Sequence, residues 1–296
     1  MNQKNSASEH TAQWLQNVVD NAPVKRLHHR GLTIEGYSRA AVQTYWRVPE
    51  LKLGFDFGAQ PWSFMGTPNW FISHAHLDHL IALPVYVARR RMMKMDPPTI
   101  YLHESIVDPV QRLLNVCRRL DRGRLPCRLV GVQPGQEVEL SRETVVTVSA
   151  TKHQVPSLGF VVWNRRKKLK PEYHHLRGDQ IRDLRLSGVE VTYELRVPLV
   201  AYTGDTAPDG LDHCPAMFEA QILILEVTFV AAGHRREKIH KFGHIHLDDL
   251  LERRQRFQNE VIIASHFSTR VHPRQIERIV RRRVPDMLGG RLHLWL

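Results

Sequence analysis

The chain has 296 residues, 42% of them hydrophobic and 24% charged, and its 42 Lys and Arg outnumber its 30 Asp and Glu for a formal net charge of +12. These are the proportions of a soluble globule with a substantial core; no run reaches the roughly 18 apolar residues of a membrane helix, and the polar start Met1 to Asn5 lacks the apolar stretch of an export signal. The cationic excess favours a polyanionic partner such as nucleic acid, while Cys117, Cys127 and Cys214, widely spaced and without a Cys-x-x-Cys pair, read as reduced thiols in a cytoplasmic setting and not as metal ligands.

Residues 1–24 read as an N-terminal extension, with Trp14, Leu15, Val18 and Val19 on one face of a short helix that ends near Pro23. Residues 25–296 follow as one domain without a clear linker or repeat. Its first β-type runs are Val42 to Trp46 and Leu51 to Asp56. The next, Asn69 to Ser73, leads into His74-Ala75-His76-Leu77-Asp78-His79, after which Leu80, Ile81, Leu83 and Tyr86 recur at helical intervals. Further apolar runs each end on a metal-ligand type: Val145 to Ala150 before His153, Leu199 to Thr203 before Asp205, Ile222 to Leu225 before Glu226, and Val261 to Ser265 before His266. Helical stretches at about 80–94, 104–122, 246–258 and 273–283 would cover the outer faces. The fold expected is α/β in the layered α+β sense, a β sandwich flanked by helices with its site at the strand ends.

The cluster at 74–79 holds three imidazoles and a carboxylate in six residues, far above composition even with 18 histidines in the chain. In an extended loop, residues two apart point the same way, so His74 and His76 would grip one ion while Asp78 and His79 turn to a second. With the strand-end ligands, His74, His76 and His153 make one face, and Asp78, His79 and His266 another. Asp205 is the natural bridge. Imidazole and carboxylate donors suit zinc, with manganese or iron(II) as alternatives, and two such cations suit hydrolysis at phosphorus. The plain alternative is a polar loop in which Asp78 caps a helix.

The ordered motifs Ser73 to His79, Lys152-His153-Gln154-Val155-Pro156-Ser157-Leu158-Gly159, Tyr202-Thr203-Gly204-Asp205-Thr206, Glu226-Val227-Thr228-Phe229, Gly243-His244-Ile245-His246 and Ser265-His266-Phe267-Ser268 carry a resemblance. From about Gly31 to the C-terminus the chain resembles the metallo-β-lactamase superfamily and, more closely, its ribonuclease Z (tRNase Z) family. The resemblance implies a metallo-β-lactamase αββα sandwich, two zinc ions per subunit, a homodimer, and removal of the 3′ trailer from precursor tRNA. It implies His74, His76, His153 and Asp205 around one zinc, and Asp78, His79, Asp205 and His266 around the other. Asp78 would also orient the attacking water, His244 would protonate the leaving 3′ oxygen, and Glu226 would support His244. Asp56 falls where the superfamily carries a buried aspartate that braces the ligand loop.

Two features depart from the common pattern. Most of the family has His-Ser-Thr where this chain has His244-Ile245-His246, as the short plant-type enzymes do, so His246 competes with His244; its other reading is a residue at the start of a helix. The segment at about 164–196 resembles the reduced arm of the same plant-type enzymes. Within it Arg165, Arg166, Lys167, Lys168 and Lys170 are the expected contacts to the tRNA backbone, against the alternative of a solvated basic loop. Arg89-Arg90-Arg91 and Arg281-Arg282-Arg283 are weaker cases. The competing functions are a general phosphodiesterase or arylsulfatase on the same scaffold, and a non-catalytic RNA-binding protein.

Overall fold

The computed structural model describes residues 22–233 and 235–296. The expected helix around Trp14, Leu15, Val18 and Val19 lies outside them. The described chain forms two seven-stranded sheets, each laid down in chain order. The first runs β1 (Lys25–His29), β2 (Leu32–Arg39), β3 (Gln43–Val48), β4 (Leu53–Phe55), β5 (Asn69–Phe71), β6 (Thr99–His103) and β7 (Arg128–Val132). The second runs β8 (Glu137–Glu139), β9 (Thr144–Ala150), β10 (Leu158–Leu169), β11 (Thr192–Tyr202), β12 (Ile222–Glu226), β13 (Val261–Ser265) and β14 (Leu292–Leu294). In both sheets the first four strands pair antiparallel and the later ones parallel.

Parallel neighbours need crossovers, and these supply most of the helices. They are α1 (Leu77–Leu80), α2 (Leu83–Met92) and α3 (Val107–Asp121) on the first sheet; α4 (Gly178–Leu186) stands apart in the arm; α5 (Pro208–Asp212), α6 (Pro215–Glu219), α7 (Arg236–Lys241), α8 (Leu247–Glu252) and α9 (Pro273–Arg283) follow on the second. The side-chain period of two then assigns the layers. Along β12, Ile222 and Ile224 face the first sheet, among Trp46, Phe55, Phe71 and Phe160, whereas Leu223 and Leu225 face Phe218, Leu250 and Ile276 of the outer helices. Along β5, Trp70 turns out toward Leu83, Tyr86 and Val87 while Phe71 turns in. Strands covered on both faces read as unbroken apolar runs. The result is the αββα sandwich of the metallo-β-lactamase fold.

Several expected elements differ in extent. The helix at 80–94 is two pieces, α1 and α2, and α1 begins inside the ligand cluster, so Asp78 and His79 sit on a helical turn and not in an extended loop. The helix at 246–258 stops at Glu252 and gives way to turns, where Arg253, Arg254 and Arg256 pair with Asp212 and Asp286. The segment at 164–196 is a hairpin, since β10 and β11 stay paired out to Leu169 and Thr192 and carry α4 at the tip.

Candidate metal centre

The site lies where the parallel strands of both sheets end. Two tight turns aim side chains into it: Asp56 directly after β4 and His266 directly after β13 both adopt left-handed backbone, with φ of 59° and 60°. Such conformations cost energy in non-glycine residues and persist only when the surroundings hold them. A third turn follows β11, where Gly204 (φ +58°) lies so near Ser73 that a Cβ would come within 2.5 Å of the serine Cβ. Glycine there lets the Asp205 loop close onto the His74 loop.

Two sets of donor atoms converge. His74 Nε2 lies 3.0 Å from His76 Nδ1, His153 Nε2 lies 3.2 Å from the same Nδ1, and Asp205 Oδ2 is 3.8 Å from His74 Nε2. His79 Nε2 and His266 Nε2 are 3.3 Å apart, and Asp78 Oδ2 is 3.7 Å from each. Asp205 joins the sets, with Oδ1 at 3.6 Å from His79 and Oδ2 at 3.4 Å from His266. A shell of bonds about 2.0–2.2 Å long separates neighbouring donors by about 3.3 Å. The donor spacing and chemistry therefore fit divalent cations.

Hydrogen bonds behind the ligands set which nitrogen faces inward. Asp56 accepts from Ser73 N, Ser73 Oγ and His79 Nδ1, each at 2.7 Å, and from the Tyr202 hydroxyl at 2.5 Å. Ser73 Oγ, its proton spent on Asp56, accepts from His74 Nδ1 at 3.0 Å. On the other side Thr228 Oγ1 donates to Glu226 Oε2 at 2.7 Å and accepts from His266 Nδ1 at 3.0 Å. His153 Nδ1 donates to the Gly243 carbonyl at 2.9 Å. In each case a carboxylate, a carbonyl, or a hydroxyl that itself donates to a carboxylate pins the imidazole through Nδ1, so that its Nε2 lone pair is left for a cation. Ser73, Thr228, Tyr202 and Gly243 stand in the sequence motifs, but these roles come from the partners the fold gives them.

The charges interlock. Burial pushes His74, His76 and His153 below the usual imidazole range. Burial also opposes ionisation of Asp205, but the neighbouring His266 and His79 outweigh it and draw its carboxyl down. At Asp78 burial is likewise overcome, by the neighbouring His266 and His79 imidazoles, and the carboxyl lies well below the carboxylate range. Asp78 accepts from Ala41 N at 2.9 Å, and the N-cap of α1 is His76, so Asp78 is not a helix cap.

His244 stands at the mouth. Its Nδ1 donates to Glu226 Oε1 at 3.1 Å and lies 4.0 Å from Asp205 Oδ2; burial disfavours its proton, but Glu226 more than compensates and raises it to about 9. With His76 and His153 it lines an open cleft of about 470 Å³. His246 is elsewhere: it is buried, its Nδ1 accepts from Asp248 N at 3.1 Å at the start of α8, and its Nε2 donates to the Ala231 carbonyl at 3.1 Å.

The basic arm residues are not part of the cluster. Arg166, Lys167 and Lys168 are exposed on β10, Lys170 is half-buried beyond it, and Arg165 is tied to Glu139 at 2.8 Å and to the Arg142 carbonyl at 3.1 Å. Arg90 is buried and donates to the Asp96 carbonyl, while Arg281 and Arg283 pair with Glu277 and Asp248. The weaker arginine runs are thus largely engaged within the protein.

This fold with a converging His/Asp cluster defines a metal-dependent hydrolase of the metallo-β-lactamase superfamily, and residues 70–267 match the family model described as a Beta-lactamase superfamily domain. The metallo-β-lactamase fold protein YhfI from Bacillus subtilis superposes with a TM-score of 0.60 at 14% identity, covering 88% of this chain and 92% of that one. Human tRNase Z, short form, does so with a TM-score of 0.50 at 18% identity, over 85% and 92%. In sequence, tRNase Z TRZ1 of Arabidopsis thaliana is 37% identical over 270 residues, 90% of this chain and 96% of that protein. Nuclear ribonuclease Z of Triticum aestivum is 41% identical over 167 residues, 56% of this chain and 95% of its own length. The chain belongs to the ribonuclease Z (tRNase Z) family.

Proposed function

We propose that this protein is a zinc-dependent endoribonuclease that removes the 3′ trailer of precursor tRNA, with two zinc ions per subunit. The observation that supports it most is the joining of two ligand sets through Asp205, with the His244–Glu226 pair beside them at the cleft mouth. His74, His76, His153 and Asp205 would hold one ion; Asp78, His79, Asp205 and His266 the other. When bound, such ions polarise a phosphoryl oxygen and lower the pKa of water. Asp78, anchored by Ala41 N, is an acceptor placed to orient the attacking water. His244 spends its Nδ1 proton on Glu226, which leaves Nε2 as the donor toward the 3′ oxygen that departs.

The family relatives named tRNase Z support precursor tRNA as substrate, and the +12 charge with the exposed Arg166, Lys167 and Lys168 supports contact with its backbone. A cytoplasmic homodimer completes the reading; among the described residues no helix is long and apolar enough to cross a membrane. The test is cleavage of a precursor tRNA by zinc-loaded protein, with both product ends mapped, beside bis(p-nitrophenyl) phosphate. One cut leaving a 3′ hydroxyl on the tRNA supports the reading. Turnover of the small ester alone favours the general phosphodiesterase, and tight tRNA binding without any cleavage favours a binding protein.

A further inference from the structure

We infer that Phe242 is a stacking platform for the unpaired nucleobase on the 5′ side of the cut, with Lys238, Arg235 and Arg270 taking the adjoining phosphates. The inference rests on the precursor-RNA reading above and says which nucleotide the cleft grips. The cleft that begins at His76, His153 and His244 continues onto Phe242, Ile239 and Phe229, with those three cations at its rim. Ile239 is buried at 4% exposure, whereas Phe242 is 40% exposed. Lys238 Nζ stands 6.0 Å from the centre of the Phe242 ring. An open aromatic beside cations, at the edge of a hydrolytic centre, is the combination that binds single-stranded nucleic acid without reading its sequence.

The platform is held at a fixed offset from the chemistry. Phe242 N donates to the Lys238 and Ile239 carbonyls at 3.2 and 3.1 Å, closing the end of α7, and the next residue, Gly243, gives its carbonyl to His153. His244, one residue further, is the group assigned to the leaving oxygen. That oxygen is the 3′ oxygen of the nucleoside on the 5′ side of the cut, so the base of this nucleoside enters the cleft with it. No polar group is required on the base.

The experiment uses the full metal-loaded protein and two precursor RNAs, one intact and one abasic at the nucleotide 5′ to the cut. Phe242→Leu is expected to lower kcat/KM on the intact RNA by about 10- to 100-fold and to match the wild type on the abasic RNA, while Phe242→Trp stays near wild type on both. An equal loss for Phe242→Leu on both RNAs, or no loss on the intact one, overturns the inference alone. A wild type that turns over bis(p-nitrophenyl) phosphate but cuts neither RNA overturns the parent reading and this one with it.

Discussion

The Tyr202 hydroxyl donates to Asp56 Oδ2 across 2.5 Å, joining the end of β11 in the second sheet to the turn after β4 in the first. Asp56 is fully buried and carries His79 on the same oxygen, so this bond sets both how the sheets meet and where one ligand imidazole points.

Removing the Tyr202 hydroxyl should therefore cost stability and metal together. Tyr202→Phe is expected to lose about 1–3 kcal/mol, the usual cost of a buried hydrogen bond to a charged group. Asp56→Asn also changes what Ser73 and His79 donate to, and its metal affinity is expected to fall about 10- to 100-fold. Denaturant unfolding and metal titration on both variants check this. Unchanged affinity in Asp56→Asn would mean that the aspartate only braces the fold.

His244 and His246, two residues apart, should separate cleanly. His244→Ala is expected to reduce precursor cleavage by about 10²- to 10⁴-fold, the range for a lost proton donor, with little change in melting temperature. His246→Ala removes the cap of α8 and is expected to cost about 1–2 kcal/mol while cleavage persists. Reversed phenotypes would exchange the two assignments.

Much of this site could be read from the residues because the ligands follow short apolar runs, and a run fixes both a strand and its end. That is why His153, Asp205 and His266 could be grouped with His74 to His79, and the structure brings them together. What could not be read depends on contacts between distant segments. Nothing local says that Tyr202 reaches Asp56, that Thr228 relays between Glu226 and His266, or that the Gly243 carbonyl holds His153. The arm shows the same limit: five basic residues suggest a solvated loop as readily as a strand until Leu169 is seen to pair with Thr192. The break between α1 and α2 was hidden because Leu80, Leu83 and Tyr86 all face one core and so keep a helical spacing across it.

Chelation should destabilise the fold and not only silence it. Four buried groups, His74, His79, Asp205 and His266, converge with ligand atoms turned toward one another, an arrangement that a bound cation would stabilise. A ligand that binds only the folded state stabilises it by mass action, about 4 kcal/mol at a thousandfold excess over Kd. Treatment with a strong chelator is expected to lower the melting temperature, and added zinc to restore it. A melting temperature indifferent to metal would argue against a built cation site.

Cys127 offers a pH test away from the metal centre. It packs against the outer core of the first sheet, and burial pushes its thiol up to about 11. Alkylation of Cys127 in the folded protein at pH 8 should be slow and should accelerate about tenfold per pH unit up to that value, because the thiolate is the nucleophile. The unfolded thiol ionises first, so this group's contribution to stability is present below pH 9 and is lost as pH rises toward 11. Rapid alkylation at pH 8 would show that the site opens to solvent.

Gly243 should prove as sensitive as a ligand. Its φ is +74°, and a Cβ built there would meet His153 Cα at 2.5 Å, His153 Nδ1 at 2.6 Å and the Lys152 carbonyl at 2.6 Å. Two of these are backbone atoms that cannot swing aside, so Gly243→Ala must move the loop whose carbonyl orients His153. Gly188 is the control, with φ of +86° and nothing within 4 Å of the same Cβ. Gly188→Ala carries only the left-handed strain, about 1–2 kcal/mol. Gly243→Ala adds overpacking of about 1–3 kcal/mol and is expected to lose metal content and precursor cleavage as well. Equal stability losses with metal retained in both variants would mean that the loop yields without disturbing His153, and the Gly243 carbonyl would then lose its assigned part in holding that ligand.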